Sequence, residues 1–336
     1  MVYEMTLAVI KCIENHLHKK VYKGASLALF QSGRWQEYHI GTIDGRRPVD
    51  ANLVYDLASV SKVVGVATIC NILLNNGTLA LDDPLKVYYP SIADATVTIR
   101  QLLTHTSGLD PYIPNRDVLN AQQLRKALNH LTQKENKNFY YTDVNFLLLG
   151  FMLEELFSES LDQIFDKTIF TPFGMYHTSF GPRPEAVPTL KGVSDGEVHD
   201  PKAKILKKHS GSAGLFSTLA DLESFSNHYL NDPFSDCLWR NYSQQTIERS
   251  LGWNLDGDWI SHTGYTGPFL MLNKKEQTAA IFLTNRTYDE DDKSKWLKER
   301  QLLYNALKHD LTTPRIVTSK GAVLVILLLF LKFLLK

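Results

Sequence analysis

The chain has 336 residues, 44% of them hydrophobic, which is typical of a globular protein with room for a large core. Its 36 basic and 36 acidic side chains give a formal net charge of zero, so we expect no nucleic acid or acidic polymer as a partner. Cys12, Cys70 and Cys237 are far apart and lack metal-ligand spacing, which predicts buried free thiols rather than a disulfide framework or a zinc site.

The first part of the chain predicts a helix, a hairpin and a second helix. Residues 1–20 have the pattern of an amphipathic helix and lack the basic start, apolar core and cleavage site of a secretion signal. Two strand-like runs, 24–30 and 35–41, are separated by turn residues, which predicts a β-hairpin. A longer helix is predicted from Ser59 to about Asn75.

The middle of the chain predicts helices followed by a loop. Residues 77–90 predict a turn and short elements, with Pro84 at a helix start. From 99 to 171 apolar residues recur at helical spacing, which predicts an all-helical region. Residues 172–208 are rich in proline, glycine and charge, so we expect a long surface loop there.

The last part of the body predicts a helix at 218–231, three strands at 253–260, 267–273 and 278–284, and a closing helix at 292–309. Strands near both ends of the sequence, with helices between them, predict one sheet assembled from both ends of the chain.

These elements predict an α/β (α+β) protein with three regions. Residues 1–75 together with 210–311 form the sheet domain, 76–209 form a mainly helical domain with a surface loop, and 312–336 form a linker and a hydrophobic C-terminal tail.

The tail is unbroken apolar sequence from 321 to 331 and ends with Lys332 and Lys336 among further apolar residues. Fifteen helical residues reach about 22 Å, which is short of the roughly 30 Å hydrocarbon core of a bilayer. We expect residues 321–336 to associate with a membrane and to leave the folded body on the cytoplasmic side. The alternatives are packing against the body or a partner chain, and a disordered tail.

The Ser59-x-x-Lys62 motif places a hydroxyl nucleophile and an amine on one face of the predicted helix. At the start of that helix, free N–H groups and the positive end of the helix dipole can stabilise a developing oxyanion. This arrangement suits acyl transfer, but a serine and lysine at this spacing occur by chance about once in a chain of this length.

Two further motifs strengthen that hypothesis. Tyr141 and Asp143 offer a phenol and a carboxylate two residues apart between helical runs. His262-Thr263-Gly264 lies between strand-like runs, where a glycine allows a substrate backbone to approach closely.

The order Ser-x-x-Lys, Tyr-x-Asp, His-Thr-Gly resembles that of the serine β-lactamase and penicillin-binding-protein superfamily. It looks most like the branch that includes class C β-lactamases, D,D-peptidases and related esterases. The resemblance extends over about residues 23–307. Three further segments resemble ones usual in that branch: 81–84 (LDDP), 102–109 (LLTHTSGL) and 211–218 (GSAGLFST).

The resemblance implies a β-lactamase/transpeptidase-like fold, with an antiparallel sheet flanked by helices, an all-helical region and an active site between them. It also implies that Ser59 attacks a carbonyl carbon to form an acyl-enzyme, while Lys62 and Tyr141 handle its proton. The N–H groups of Ser59 and Tyr265 would form the oxyanion hole, and no metal or organic cofactor is expected. The substrate would be a small ester or amide, or a molecule derived from the cell envelope.

Two residues depart from the family pattern within the expected substrate-binding group, which comprises Asp143, His262, Thr263 and Gly264. Asp143 replaces a common asparagine, and its charge can hold Lys62 protonated, which favours Tyr141 as the base. His262 replaces a common lysine and is largely neutral near pH 7, so it would anchor a substrate carboxylate weakly, although Thr263 can still donate a hydrogen bond. We therefore favour an ester or amide without an essential carboxylate over penicillin itself.

Two alternatives stay open from the sequence: β-lactamase or D,D-carboxypeptidase and penicillin-binding activity, and a catalytically silent relative that holds a ligand at the membrane. Three residues resemble further catalytic or ligand groups. We interpret His105 as a hydrogen-bonded structural histidine, and His199 and Asp200 as structural or substrate-bordering residues.

Overall fold

The structure is a computed structural model and describes residues 7–313, 316–317 and 323–324. The strands, in chain order, are β1 (Gly24–Gln31), β2 (Arg34–Gly41), β3 (Tyr55–Asp56), β4 (Ser179–Phe180), β5 (Leu215–Ser217), β6 (Asn254–Asp256), β7 (Trp259–Thr263), β8 (Phe269–Asn273), β9 (Thr278–Thr284), β10 (Ile316–Val317) and β11 (Val323–Leu324).

The α-helices, in chain order, are α1 (Ala8–His18), α2 (Thr68–Asn75), α3 (Leu85–Tyr88), α4 (Ile99–Leu103), α5 (Ala121–Asn129), α6 (Val144–Phe157), α7 (Leu161–Phe165), α8 (Thr171–Phe173), α9 (Pro201–Leu206), α10 (Leu219–Asn231) and α11 (Lys293–Thr312). Shorter 3-10 or π-helical turns lie at Ala58–Val60, Val63–Ala67, Arg116–Val118, Asp166–Phe170, Lys207–His209 and Pro233–Leu238.

The main sheet has six strands in the order β2-β1-β9-β8-β7-β6, and every neighbouring pair is antiparallel. It joins strands from both ends of the sequence, as predicted. The predicted hairpin is present, with Gln31 paired to Arg34 beside the turn. A small second sheet, β3-β5-β4, holds the segment that leads into Ser59.

The strand predicted at 253–260 is wrong, because the chain turns within it. β6 and β7 form a hairpin around Gly257, which has φ of +59°. Glycine reaches this left-handed conformation at little cost, and the Asp256-Gly257 pair is a turn signal that the apolar pattern of the segment hid.

The helix that carries Ser59 and Lys62 runs through the centre of the Tyr22–Asp291 unit. Val63, Val64, Val66 and Ala67 are all fully buried, so this helix is surrounded by the fold on every side, as a core helix is. Ala58–Asn75 is also long and apolar enough to cross a membrane, but 78% of it is buried inside the fold. That burial accounts for its composition without a membrane.

The segment predicted as a surface loop contains a helix. α9 begins after Asp200, whose side chain accepts the Ala203 N–H at 2.8 Å, and Pro201 occupies the first helical position. This is a standard helix start, and the charge and proline content of 172–208 hid it. α9 matters because it carries Lys202 to the candidate active site.

The chain divides into two compact units, one of Tyr22–Asp291 and one formed by the two chain ends. In the second unit α1 packs against α11, and the Asp310 carboxylate accepts the Val9 N–H at 2.8 Å. The division at residues 75 and 209 stays a prediction, and the predicted membrane tail at 321–336 lies outside the described residues apart from β11.

All three cysteines are free thiols. Cys70 is fully buried as expected, whereas Cys12 and Cys237 are partly exposed, so the prediction that all three are buried is wrong for those two.

Candidate active site

Ser59 lies at the start of the core helix, immediately after a constrained turn. Ala58 has φ of +44°, an unfavourable conformation for a residue with a Cβ, and its N–H is held by the buried carboxylate of Asp56 at 2.7 Å. The Leu57 N–H donates to the Leu215 carbonyl at 2.9 Å, which ties the turn to the second sheet. These contacts fix the backbone of the turn and therefore the position of Ser59, which follows it.

Lys62 lies one helical turn further on and is fully buried. Its Nζ donates to Ser59 Oγ at 2.8 Å, to Asp143 Oδ1 at 2.7 Å and to the Ser212 carbonyl at 2.9 Å. Burial alone would lower the pKa of Lys62, but the attraction of Asp143 and Tyr141 outweighs it and raises the pKa above its usual range. Lys62 is therefore an ammonium whose three hydrogens all have acceptors.

Asp143, at the start of α6, lies between two ammonium groups. Its Oδ1 accepts from Lys62, and its Oδ2 is 2.9 Å from the Nζ of Lys202 on α9. Burial would raise the pKa of Asp143, but the two lysines outweigh that effect and lower the pKa far below its usual range. A cavity of about 200 Å3 opens beside Asp143, and Tyr141 and Lys202 form part of its wall.

Tyr141 lies next to Lys62, whose Nζ is 5.2 Å from the centre of the phenol ring. The ring is 41% exposed on one side and packs on His105 on the other, with 4.5 Å between ring centres. His105 is buried, and its Nδ1 lies 3.0 Å from the Asn145 amide nitrogen, in agreement with a structural role. The His105 ring therefore packs against the Tyr141 ring and helps to hold it in place.

His262 lies in β7, and its ring centre is 6.2 Å from that of Tyr141. The side chain is only 2% exposed, and burial, followed by the charges of Lys62 and Arg249, lowers the pKa of His262 well below its ordinary value. His262 is therefore neutral at pH 7, and β7 continues directly into Thr263 and Gly264.

Gly264 brings the end of β7 against the turn that precedes Ser59. A Cβ at this position would lie 2.6 Å from the Leu57 carbonyl oxygen. The sequence suggested that this glycine admits a substrate backbone, but the close neighbour in the structure is the chain's own backbone. Thr266 Oγ1 also donates to the Asp56 carbonyl at 3.2 Å, so the segment containing Tyr265 is held beside the nucleophile turn.

The Tyr265 side chain is fixed by charged and aromatic neighbours. Its hydroxyl donates to the Asp291 carboxylate, and the Arg286 guanidinium lies 4.8 Å from the ring centre. On the other side the ring stacks on His199 at 5.6 Å, and the His199 N–H donates to Asp56 Oδ2 at 2.8 Å. His199 therefore borders the site and supports it, whereas its neighbour Asp200 caps α9.

Arg249 is a buried cation that the motifs did not indicate. It is 2% exposed and lies over the Phe139 ring at 5.2 Å, and its Nε and Nη2 have no hydrogen-bond partner among the described residues. Burial lowers the pKa of Arg249 to about 10, so it stays charged at pH 7. Its charge acts on Tyr141 and on His262, which places it at the same site.

The structure thus brings Ser59, Lys62, Tyr141, Asp143 and His262 together, with 263–265 alongside. Sequence reasoning missed Arg249, Lys202 and Asp56. The only signal for Lys202 was the helix start at 200–201, and an arginine between polar residues, as Arg249 is between Glu248 and Ser250, is expected at the surface.

A serine hydroxyl held by a buried lysine, with a phenol beside them, is a nucleophile and a proton-transfer pair, and these are the parts of a serine hydrolase. A model of the beta-lactamase family matches residues 9–304. The chain belongs to the beta-lactamase family and is a serine hydrolase.

Individual proteins agree with this assignment. A protein of Escherichia coli K12 named "Putative D-alanyl-D-alanine carboxypeptidase" is 26% identical, over 74% of this chain and 73% of its own. The crystal structure of a beta-lactamase/D-alanine carboxypeptidase from Pseudomonas syringae matches with a TM-score of 0.74 at 19% identity, over 90% of this chain and 98% of that one. EstCE1, a hydrolase with promiscuous acyltransferase activity, matches with a TM-score of 0.70 at 17% identity, over 88% and 97%. At these identities the solved structures support the fold, which is the β-lactamase/transpeptidase-like fold that the sequence predicted.

Replacing Gly264 tests the contact between β7 and the nucleophile turn. In Gly264→Ala the new methyl meets the Leu57 carbonyl, so we expect a loss of about 1–3 kcal/mol in the free energy of unfolding and at least a tenfold loss in kcat/KM. Denaturant unfolding and ester hydrolysis measure the two effects.

Gly33→Ala is the matched control, because Gly33 has φ of +75° in the hairpin turn, and an added Cβ there would have no atom of the described residues within 4 Å. It should lose stability through backbone strain and keep its kcat/KM. An unchanged kcat/KM in Gly264→Ala would show that this contact does not position the site.

Proposed function

We propose that the protein hydrolyses an ester or amide through a covalent acyl-enzyme on Ser59. The observation that carries this proposal is the 2.8 Å hydrogen bond between the Lys62 ammonium and Ser59 Oγ inside a buried, fixed site. A serine in this setting has a cation beside the oxygen that must attack, and it lies at a helix start, where N–H groups are free.

The general base in this proposal is Tyr141. Lys62 already donates its three hydrogens, so it has no lone pair with which to accept the Ser59 proton. When the Lys62–Tyr141 pair has lost one proton, the negative charge lies on the phenol oxygen, and the cations Lys62 and Arg249 stabilise it there.

The reaction then proceeds in two halves. Ser59 Oγ attacks the carbonyl carbon while its proton passes to Tyr141, and Tyr141 returns that proton to the leaving group as the carbon–heteroatom bond breaks. In the second half Tyr141 takes a proton from the water that attacks the acyl carbon, and returns that proton to Ser59 Oγ as the bond between the acyl carbon and Oγ breaks and the acid leaves. The N–H groups of Ser59 and Tyr265 bind the oxyanion in both halves, and Thr263 contributes a hydroxyl donor.

Arg249 favours a substrate with a free carboxylate, and this changes the preference drawn from the sequence. A buried cation with unused donors is costly unless something pairs with it, and a carboxylate satisfies a guanidinium with two parallel hydrogen bonds. Arg249 can therefore supply the anchor that the neutral His262 lacks. We propose a D,D-carboxypeptidase or β-lactam type of substrate, as the names of the relatives suggest, with simple esters as poorer substrates.

The nucleophile is tested with Ser59→Ala. We expect this variant to lose labelling by a serine-reactive phosphonate and to lose ester turnover by at least about a thousandfold, because it lacks the hydroxyl that Lys62 and Tyr141 activate. Intact-mass spectrometry after exposure to the phosphonate, a β-lactam and a D-alanyl peptide measures the adduct.

Ser61→Ala is the control, since the Ser61 hydroxyl accepts the Leu215 N–H at 3.1 Å and has a structural role. It should still be labelled. Unchanged turnover in Ser59→Ala would disprove the mechanism, and a wild-type protein that no probe labels would instead favour a silent ligand-binding relative.

The carboxylate anchor is tested with Arg249→Met. We compare kcat/KM for a peptide with a free C-terminal carboxylate and for the same peptide as a C-terminal amide. The wild-type preference for the free acid should fall by about 30- to 100-fold, the value of a charged hydrogen-bonded pair. The ratio separates anchoring from any effect on Tyr141, which would change both substrates equally. Arg249→Lys should keep part of the preference, and an unchanged ratio in Arg249→Met would refute the anchor.

We also propose that residues 321–336 attach the protein to a membrane, on the basis of their unbroken apolar sequence and terminal lysines. The full chain should sediment with membranes and resist a high-salt wash, whereas a chain ending at residue 313 should stay in the supernatant with the same kcat/KM. If both forms stay in the supernatant, the tail is not a membrane anchor.

A further inference from the structure

Lys202 makes an ion pair that links α9 to the catalytic groups. Its Nζ is 2.9 Å from Asp143 Oδ2, while Asp143 Oδ1 is 2.7 Å from the Nζ of Lys62. The three side chains are 16%, 23% and 0% exposed, so water screens these charges only weakly. A single carboxylate thus bridges the catalytic lysine and a second lysine that no motif contains.

Asp143 by itself would hinder the proposed mechanism. Its negative charge favours a proton on the Lys62–Tyr141 pair, because a proton keeps that pair positive, whereas the base must be formed by removing one. A second positive charge on the other carboxylate oxygen offsets this effect. It also holds Asp143 in place, since the Asp143 side chain is clamped from both sides.

We infer that Lys202 is a positioning residue for the hydrolytic reaction: by pairing with Asp143 it fixes that carboxylate against Lys62 and sets the pH at which the Lys62–Tyr141 pair loses its proton. This inference rests on the proposed function, because it assumes that the pair acts on the Ser59 proton.

The other charged groups around the pair do not replace Lys202. His105 and His262 are buried and uncharged at neutral pH, because burial, followed by the nearby cations, lowers the pKa of each well below its ordinary value. Asp200 lies 3.6 Å from Lys202, and its carboxylate is already occupied as the cap of α9. Arg116 lines the same cavity as Tyr141 and Asp143, and the charge of Arg249 acts on Tyr141; among these charged groups Lys202 is paired directly with Asp143.

The test is the pH dependence of kcat/KM in four proteins: wild type, Lys202→Asn, Asp143→Asn and the double variant. Loss of the positive charge in Lys202→Asn should move the acidic limb of the profile to higher pH by about one unit. At pH values below the limb, kcat/KM should then be about tenfold lower than in the wild type. Loss of the negative charge in Asp143→Asn should move the limb downward.

The double variant is the decisive protein, because it removes one charge of each sign. Its acidic limb should return to within about 0.3 pH units of the wild type, because the upward and downward shifts of the two single variants cancel. Lys202→Arg keeps the charge and should keep the wild-type limb, which covers the case in which the asparagine variant folds poorly.

A purely structural role for Lys202 would lower the rate at every pH and leave the limb unmoved, and that result would overturn the inference. A double variant whose limb stays as far from the wild-type limb as that of either single variant would overturn it as well. Phosphonate labelling of Ser59 is measured in parallel. A wild type that is not labelled would refute the proposed function, whereas labelled proteins with an unmoved limb would refute only the role of Lys202.

Discussion

The buried ammonium of Lys62 is the interaction on which the rest of the site depends. An ammonium inside a protein is tolerated only when its hydrogens are accepted and its charge is balanced. Here the three acceptors come from three parts of the fold: the core helix, the start of α6 and the segment before β5. The hydrogen bonds of Lys62 therefore hold the helical region and the segment before β5 next to Ser59. The position of the Ser59 hydroxyl follows from the need of a buried ammonium for three acceptors.

The charges around Lys62 are only partly compensated, because the cations outnumber the carboxylates that pair with them. Asp143 lies between two lysines, so its charge is more than neutralised, whereas two nitrogens of Arg249 have no acceptor within the described part of the chain. A largely buried site with an excess of positive charge is less stable than one filled with apolar groups, and such a cost is usual where a protein binds an anion. The neutral His262 fits the same pattern, because a further cation beside Lys62 and Arg249 would add repulsion.

Local patterns in the sequence predicted the parts of this site that lie close together along the chain. Ser59 and Lys62 share a helical face, and Tyr141 and Asp143 are two residues apart, so spacing alone relates the members of each pair. Lys202 and Arg249 are different, because their roles depend on where a distant segment folds and on whether their charges are buried. The same limit explains the fold errors: α9 was hidden by the composition of its loop, and the β6–β7 hairpin by an apolar pattern that continues across Gly257.

The nucleophile begins the helix Ala58–Asn75, most of which is buried in the centre of its unit. Catalytic residues are often carried by surface loops that can loosen while the body stays folded. In this protein the active serine cannot move away from its partners unless the core itself opens. Local opening that frees Ser59 therefore costs about as much as opening the core, so loss of native packing should remove reactivity at Ser59 in the same step.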